Sequence, residues 1–155
     1  MKKHTLILLT FLAISGIMAR ANAQQTLDQN KLYQGAVAKE QIYKVIYQMD
    51  NASPEIIKKT IRNINNLLKD PRLKGKLQVE LVAFSGGTDA YRKGSEYEAA
   101  IKGLISQGVI VAQCLNTLEE RKIDKSELYD FLAYVPTGNG ELVIRANDGW
   151  TIIKP

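Results

Sequence analysis

Short apolar runs rich in β-branched residues alternate with helix-forming segments, and this alternation limits the fold more than any other feature. The runs predict strands at 42–49, 77–84, 109–114, 131–135 and 150–153. Strands and helices that alternate at this spacing predict a three-layer, doubly wound α/β fold. We expect a five-stranded, mostly parallel sheet with helices on both faces. The run at 109–114 is apolar almost throughout, which is typical of a central parallel strand.

Helix start signals stand between the predicted strands. Ser53-Pro54-Glu55 combines an N-cap residue, a proline at the first helical position and a first-turn acid, so we expect a helix from there to about Lys69. Residues 95–98, 117–120 and 124–127 have the spacing of a capping box. Each is therefore expected to begin a helix.

Two glycines near the ends of segments help to place helix ends. Gly108 is expected to end the helix that begins near Ser95. Residues 139–147 are ambiguous, because Leu142-Val143-Ile144 favours a strand whereas Gly149 resembles a helix C-cap.

The first 23 residues have the three parts of a cleavable signal peptide. Lys2 and Lys3 precede an apolar run from Leu6 to Ile17, and Ala21-Asn22-Ala23 has the small-residue spacing of a cleavage site. A membrane anchor is the alternative, but a span needs about 20 apolar residues and this run is shorter. We expect an exported protein, periplasmic or secreted, with no membrane span after cleavage.

The mature chain is expected to have a short arm and one domain. Residues 24–40 are polar with scattered apolar positions and no sustained period, which indicates an N-terminal arm. Residues 41–155 are expected to form a single α/β domain. Cleavage after Ala23 leaves 132 of the 155 residues, which is a common size for one domain with one core.

Composition excludes several kinds of function. Without Lys2, Lys3 and Arg20, 18 basic residues remain against 16 acidic ones, and a net charge of +2 gives no electrostatic footprint for nucleic acid. The only histidine, His4, lies in the predicted signal, which excludes imidazole-based triads and removes the usual nitrogen ligand of zinc. We expect neither a metal site nor a cofactor. A single cysteine also excludes an internal disulfide.

The carboxyl ends of the predicted strands give the candidate binding residues, because ligands of parallel α/β sheets collect at that edge. The segments there are 50–51, 85–89, 114–117 and 136–140. From the first two segments we take Asp50, Asn51, Ser85, Gly86 and Gly87 as candidates. The two glycines lack both G-x-G-x-x-G and the P-loop lysine, so a tight turn is favoured over a phosphate cradle.

Cys114 is the only candidate reagent. It ends the third predicted strand, two or three residues before a helix cap expected at Asn116 or Thr117, so its sulfur is expected near free backbone N–H groups. The positive end of a helix is one of the ways in which a thiol pKa falls from about 8.5. Asn116 and Thr117 are expected to add side-chain donors. The alternative is that Cys114 is a small buried apolar residue, as free cysteines commonly are.

Three stretches that together span nearly all of the mature chain point to a known family. They are VIYQMDN (45–51), the segment from Gly108 through Cys114 to Leu118, and the tail from Val135 to Pro155. In these stretches the chain resembles the DsrE/DsrF-like family, which includes subunits of bacterial sulfur-relay complexes. The resemblance implies a five-stranded doubly wound domain, a helix over 139–147, and trimers or dimers of trimers. In relay members, the cysteine that matches Cys114 carries sulfur as a persulfide.

Two functions are compatible with these features. The first is a thiol-dependent sulfur or redox carrier, in which Cys114 is the acceptor and an external thiol or persulfide protein is the partner, because the chain has no resolving cysteine. The second is a non-catalytic oligomer of the cell envelope that binds a small ligand or anion at the strand edge between subunits. A purely structural envelope protein is a third alternative. Cys114→Ser would abolish the first function and spare the second.

Overall fold

The computed structural model describes residues 27–155. Of these, residues 27–37 and residues 38–155 belong to two separate units. The first contains helix α1 (Leu27–Leu32), within the stretch for which we expected no regular period. The predicted signal peptide lies outside the described residues. Within residues 27–155, no helix is both long enough and apolar enough to cross a membrane.

The second unit is built on one sheet of five parallel strands in the order β4-β3-β2-β1-β5. The strands are β1 (Tyr43–Met49), β2 (Leu77–Ala83), β3 (Ile110–Cys114), β4 (Ala133–Val135) and β5 (Thr151–Ile153). The predicted five-stranded α/β fold is therefore confirmed. The expectation that 109–114 is the central strand is wrong, because β2 occupies the centre and β3 lies between β2 and β4.

Helices cover both faces of this sheet. They are α2 (Pro54–Leu68), α3 (Glu98–Ser106), α4 (Leu115–Arg121) and α5 (Gly138–Asn147), with 3-10 turns at Ser85–Tyr91 and Lys125–Glu127. Successive strands from β1 to β4 are neighbours, with α2, α3 and α4 between them. The α5 helix then carries the chain back across the sheet to β5, beside β1. Residues 139–147 are thus helical, as the resemblance implied.

The core has two parts, one on each face of the sheet. The larger part joins the sheet to α2, α3 and α4, and it includes Leu81 and Leu118. The smaller part lies under α5 and contains Ile46, Val82 and Leu142. Leu81 and Val82 are adjacent in β2 and are both fully buried, so the middle strand is covered on both sides.

A buried charge cluster anchors α5 to the middle strand. Glu80 of β2 is 1% exposed, and Arg145 Nη2 lies 2.6 Å from its carboxylate. Arg145 also pairs with Glu141 one turn earlier on α5 and lies over the Trp150 ring. Burial raises the pKa of Glu80 despite the neighbouring guanidinium.

The helix start signals were predicted with mixed success. The α2 helix begins at Pro54, as expected, although the Ser53 side chain makes no capping bond. The capping box at Asp124 and Glu127 is present, with both reciprocal bonds formed. The box at Ser95 is wrong, because α3 begins only at Glu98 and Ser95 Oγ bonds the Ala90 carbonyl and the Tyr129 hydroxyl instead.

A crevice at the end of the third strand

Cys114 lies where two neighbouring strands send the chain to opposite faces of the sheet. β3 continues into α4 on the side of the larger core, whereas β4 continues through Thr137 into α5 on the other side. Such a divergence leaves a crevice at the carboxyl ends of the strands. Here the crevice has a volume of about 280 Å³. Its lining residues are Phe84, Ser85, Cys114, Asn116, Thr117, Glu120, Thr137, Gly138 and Asn139.

The Cys114 side chain is the N-cap of α4. Its Sγ accepts a hydrogen bond from the backbone N–H of Thr117 at 3.4 Å. The predicted cap at Asn116 or Thr117, and the capping box at 117–120, are therefore wrong, since Thr117 lies inside the first helical turn. The physical reason is that β3 runs into α4 without a loop, so the last strand residue has the extended backbone that an N-cap needs. Sulfur takes the place of the usual oxygen acceptor.

The thiol is buried, but polar groups surround the space beside it. Cys114 is 3% exposed, so it is not a surface thiol, but it is one of the residues that line the crevice. The polar residues Asn116, Thr117 and Thr137 line the same crevice. This crevice therefore offers a reagent a route to the sulfur.

Asn116 and Thr117 share the crevice with Cys114, but their side chains already have partners. The Asn116 amide donates to Glu120 Oε1 at 2.9 Å. The Thr117 hydroxyl accepts a bond from the backbone N–H of Ser85 at 3.0 Å. The hydrogen bond to the Cys114 sulfur therefore comes from the backbone N–H of Thr117 and not from these side chains.

Ser85 enters the crevice from the end of β2 in an unusual backbone conformation. Its φ of +49° lies in the left-handed region, which is uncommon for residues other than glycine. Its carbonyl accepts a bond from Arg121 Nη1 at 2.7 Å, and Arg121 Nη2 donates to Asp89 at 2.9 Å. Sequence analysis missed Arg121. The available signal was its position seven residues after Cys114, because a spacing of two helical turns places two residues on the same side of a helix.

Gly86 and Gly87 do not line the crevice. A Cβ at Gly87 would lie 2.0 Å from the Met49 carbonyl oxygen, and one at Gly86 would lie 2.9 Å from the Ala52 nitrogen. Both glycines therefore allow the 3-10 turn at Ser85–Tyr91 to pack against the end of β1. These contacts give the two glycines a packing role, and their predicted binding role stays a prediction.

Asp50 and Asn51 are also remote from Cys114, because β2 separates β1 from β3. Asp50 Oδ2 accepts bonds from Lys154 at 2.7 Å and from Gln48 at 3.1 Å. Burial opposes ionisation of Asp50, but these bonds outweigh it and lower the pKa of the carboxyl. Asn51 Oδ1 accepts the Ser53 N–H and so shapes the turn before α2. Neither residue joins the predicted site.

The first turn of α5 also lines the crevice. The Thr137 hydroxyl caps this helix by accepting the Gly140 N–H at 3.1 Å. Gly138 packs against the Phe84 ring so closely that a Cβ there would lie 2.5 Å from Cδ1. No group of three potential metal-ligating side chains occurs within residues 27–155.

Solved structures from three organisms resemble this chain. MTH1491 from Methanobacterium thermoautotrophicum, a protein of unknown function, is 32% identical over 73% of this chain and 99% of its own length, with a TM-score of 0.68. The ychN protein from E. coli is 16% identical over 75% of this chain and 100% of its own, with a TM-score of 0.57. BT1422 from Bacteroides thetaiotaomicron, of unknown function, is 10% identical over 72% of this chain and 94% of its own, with a TM-score of 0.52.

Sequence comparisons add nothing to this result, because no protein-family model and no curated protein matches the chain. The similarity to ychN and to BT1422, at 16% and 10% identity, shows only that the fold is shared. The identity to MTH1491 extends over nearly the whole of that protein. The chain therefore has the DsrE-like fold and belongs to the same family as MTH1491.

Proposed function

We propose that this chain is an exported member of the DsrE/DsrF-like family that carries sulfur as a persulfide on Cys114. The observation that carries the proposal is the position of Sγ at the N-cap of α4, beside the Thr117 amide and at the crevice between β3 and β4. A backbone N–H and the positive end of a helix stabilise negative charge on sulfur. The thiolate is the nucleophilic form of cysteine.

The proposed reaction is a transfer of one sulfur atom between thiols. The Cys114 thiolate attacks the terminal sulfur of a donor persulfide, R–S–SH, and an S–S bond forms to Sγ. The S–S bond of the donor breaks, and the donor leaves as the thiolate RS⁻ with the electron pair, so no external oxidant or reductant is needed. The product is Cys114–S–SH. An acceptor thiolate discharges it by the same step.

Both the donor and the acceptor have to be external thiols. Cys114 is the only cysteine of the chain, so no second thiol can resolve the persulfide internally. The crevice volume of about 280 Å³ suits a single side chain or a small molecule. We propose that a partner presents its persulfide on an extended side chain or as a low-molecular-weight thiol.

Intact-mass spectrometry tests sulfur loading. The mature protein, incubated with a low-molecular-weight persulfide and freed of excess reagent, should gain the mass of one sulfur atom, and dithiothreitol should remove it. The matched control is Cys114→Ser, which keeps the size of the side chain and should gain nothing. Absence of the added sulfur from wild-type protein whose thiol still reacts with iodoacetamide would refute the proposal.

The second candidate function is non-catalytic binding of a small ligand or anion in the same crevice. The burial of Cys114 and the polar lining favour it. In that case Cys114→Ser retains both ligand binding and assembly. The loading experiment and this variant together distinguish a carrier from a binding protein.

We also propose that the chain forms homo-oligomers, as trimers or dimers of trimers. Aliphatic side chains on the α5 side of the sheet support this proposal: Val143 and Ile144 of α5 are 61% and 58% exposed, and Ile110 and Ile152 are 44% and 42% exposed. Apolar surface of this kind is common in homo-oligomeric interfaces. Light scattering measures the assembly, and Val143→Asp should weaken it if this surface is buried between copies.

Export is proposed from the predicted signal peptide alone. Cleavage after Ala23 would give a mature chain that begins at Gln24. N-terminal sequencing of the protein from a periplasmic fraction tests this directly. A cytoplasmic protein that retains its first residues would contradict it.

A further inference from the structure

A buried thiol needs an opening before it can react. Cys114 is 3% exposed, and the segments that follow β2 and β4 both line the crevice beside it, as two walls. Thr137 and Gly138 form one wall, which α5 anchors through Leu142 in the core and through Arg145 on Glu80. Ser85 forms the other wall, whereas the Phe84 ring packs against Gly138 on the α5 side.

The wall formed by Ser85, which we call the Ser85 turn, is held by bonds to α4. The Ser85 N–H donates to Thr117 Oγ1 at 3.0 Å, and Arg121 donates to the Ser85 carbonyl at 2.7 Å. Ser85 itself has φ +49°, a conformation that costs free energy for a residue with a Cβ. The bonds to α4 therefore hold the turn closed against its own backbone preference.

We infer that Arg121 controls access to Cys114 by holding the Ser85 turn in its closed position. Arg121 is a positioning residue, since its guanidinium contacts Ser85 and Asp89. When Arg121 releases the Ser85 carbonyl, the turn can relax away from the left-handed conformation. Ser85 then moves away from the crevice, and the path to the sulfur widens.

The surface position of Arg121 makes this contact reversible. The side chains of Arg121 and Asp89 are 34% and 36% exposed, so salt screens their attraction and solvent competes for the guanidinium. The inference deepens the proposed carrier function by supplying the opening that a buried thiol needs. The control of access by Arg121 should apply to any reagent about the size of a small side chain.

The experiment measures the rate at which iodoacetamide alkylates Cys114 in the native full-length mature protein. Arg121→Ala should raise this rate about three- to tenfold, because one charge-assisted bond to a half-exposed group contributes about that factor to an opening equilibrium. Arg121→Lys should recover only part of the effect, since one ammonium cannot reproduce the two-pronged contact of a guanidinium. High salt should raise the rate of wild type and leave that of Arg121→Ala unchanged.

Arg92 provides the matched control. It also pairs with Asp89, at 3.7 Å, but its other partner is Glu127 and not Ser85. Arg92→Ala should therefore change the alkylation rate by less than about twofold. Low urea concentrations separate local opening, whose rate hardly depends on urea, from global unfolding, whose rate rises steeply.

Three results would overturn the inference: an unchanged rate in Arg121→Ala, an equal increase in Arg92→Ala, or a urea dependence equal to that of global unfolding. The inference and the carrier function fail separately. If substitution of Arg121 changes the alkylation rate but the protein accepts no sulfur, the inference stands and the carrier function is refuted. If the protein accepts sulfur but substitution of Arg121 leaves the alkylation rate unchanged, the carrier function stands and the inference is refuted.

Discussion

Two substitutions of Thr117 should cost similar stability and yet have opposite effects on the reactivity of Cys114. Thr117 is 4% exposed, and its hydroxyl accepts the Ser85 N–H. Thr117→Val keeps the shape of the side chain and the backbone N–H that bonds Sγ, but it removes the acceptor. Thr117→Ser keeps the acceptor and removes a buried methyl group.

The expected magnitudes follow from these contacts. In Thr117→Val the Ser85 N–H loses its partner, which costs about 1 kcal/mol because Ser85 is exposed enough for water to replace part of the bond. Thr117→Ser loses one buried methyl group, which also costs about 1 kcal/mol. Only Thr117→Val frees the Ser85 turn, so it alone should raise the alkylation rate of Cys114, by about fivefold.

The assay combines urea denaturation with native-state alkylation of the same samples. Denaturation establishes that the two variants have equal stability, and alkylation then compares local access to the sulfur. Equal rates for Thr117→Val and Thr117→Ser would refute the reasoning, because they would show that the hydroxyl bond to Ser85 does not limit access to the thiol.

Two further predictions concern the scaffold. Gly87→Ala should lower the free energy of unfolding by at least about 2 kcal/mol, because its Cβ would overlap the Met49 carbonyl, whereas Gly103→Ala, in open space on α3, should be neutral or stabilising in the same denaturation assay. Because burial raises the pKa of Glu80 in the folded state, its contribution to stability is fully present below the unfolded-state pKa and is lost as pH rises through the folded value. Denaturation between about pH 4 and pH 7 should therefore show Glu80→Gln becoming more stable relative to wild type as pH rises, and a constant difference would contradict this.

The fold could be predicted because its main signals are local. Apolar runs of strand length, separated by a helix stripe or a cap, identify β1, β2 and β3 without knowledge of tertiary contacts. Residues 139–147 were harder, because Leu142-Val143-Ile144 is compatible with both periods. That helix is fixed instead by the Thr137 cap and by the contact of Arg145 with Glu80.

The site was only partly predictable, because parallel strands fix an edge but not the neighbours along it. Asp50 and Cys114 both follow strand ends, yet β2 separates them, and the order of strands is a tertiary property. The contacts of Ser85 with Thr117 and Arg121 join residues more than 30 positions apart. No local sequence pattern predicts such contacts.

The cap at Cys114 was missed for a different reason. Helix starts are recognised by Ser, Thr, Asp or Asn, and here sulfur performs that role because the strand runs directly into the helix. The nearest conventional cap residues, Asn116 and Thr117, lie inside the first turn. The expectation of a sulfur near backbone amides rested on the strand end and on the helix start expected at Asn116 or Thr117, so it did not identify the sulfur itself as the cap.

Discharge of the loaded sulfur tests the central claim most directly, since a carrier has to release what it accepts. Wild-type protein loaded with isotopically labelled sulfur is freed of donor and mixed with an external thiol, and mass spectrometry follows the label in both. The account predicts that the label moves from Cys114 to the external thiol and that Cys114→Ser neither loads nor releases it. Label that stays on the protein would contradict the account. So would a failure of the label to bind Cys114 in a sample in which iodoacetamide modifies the same thiol.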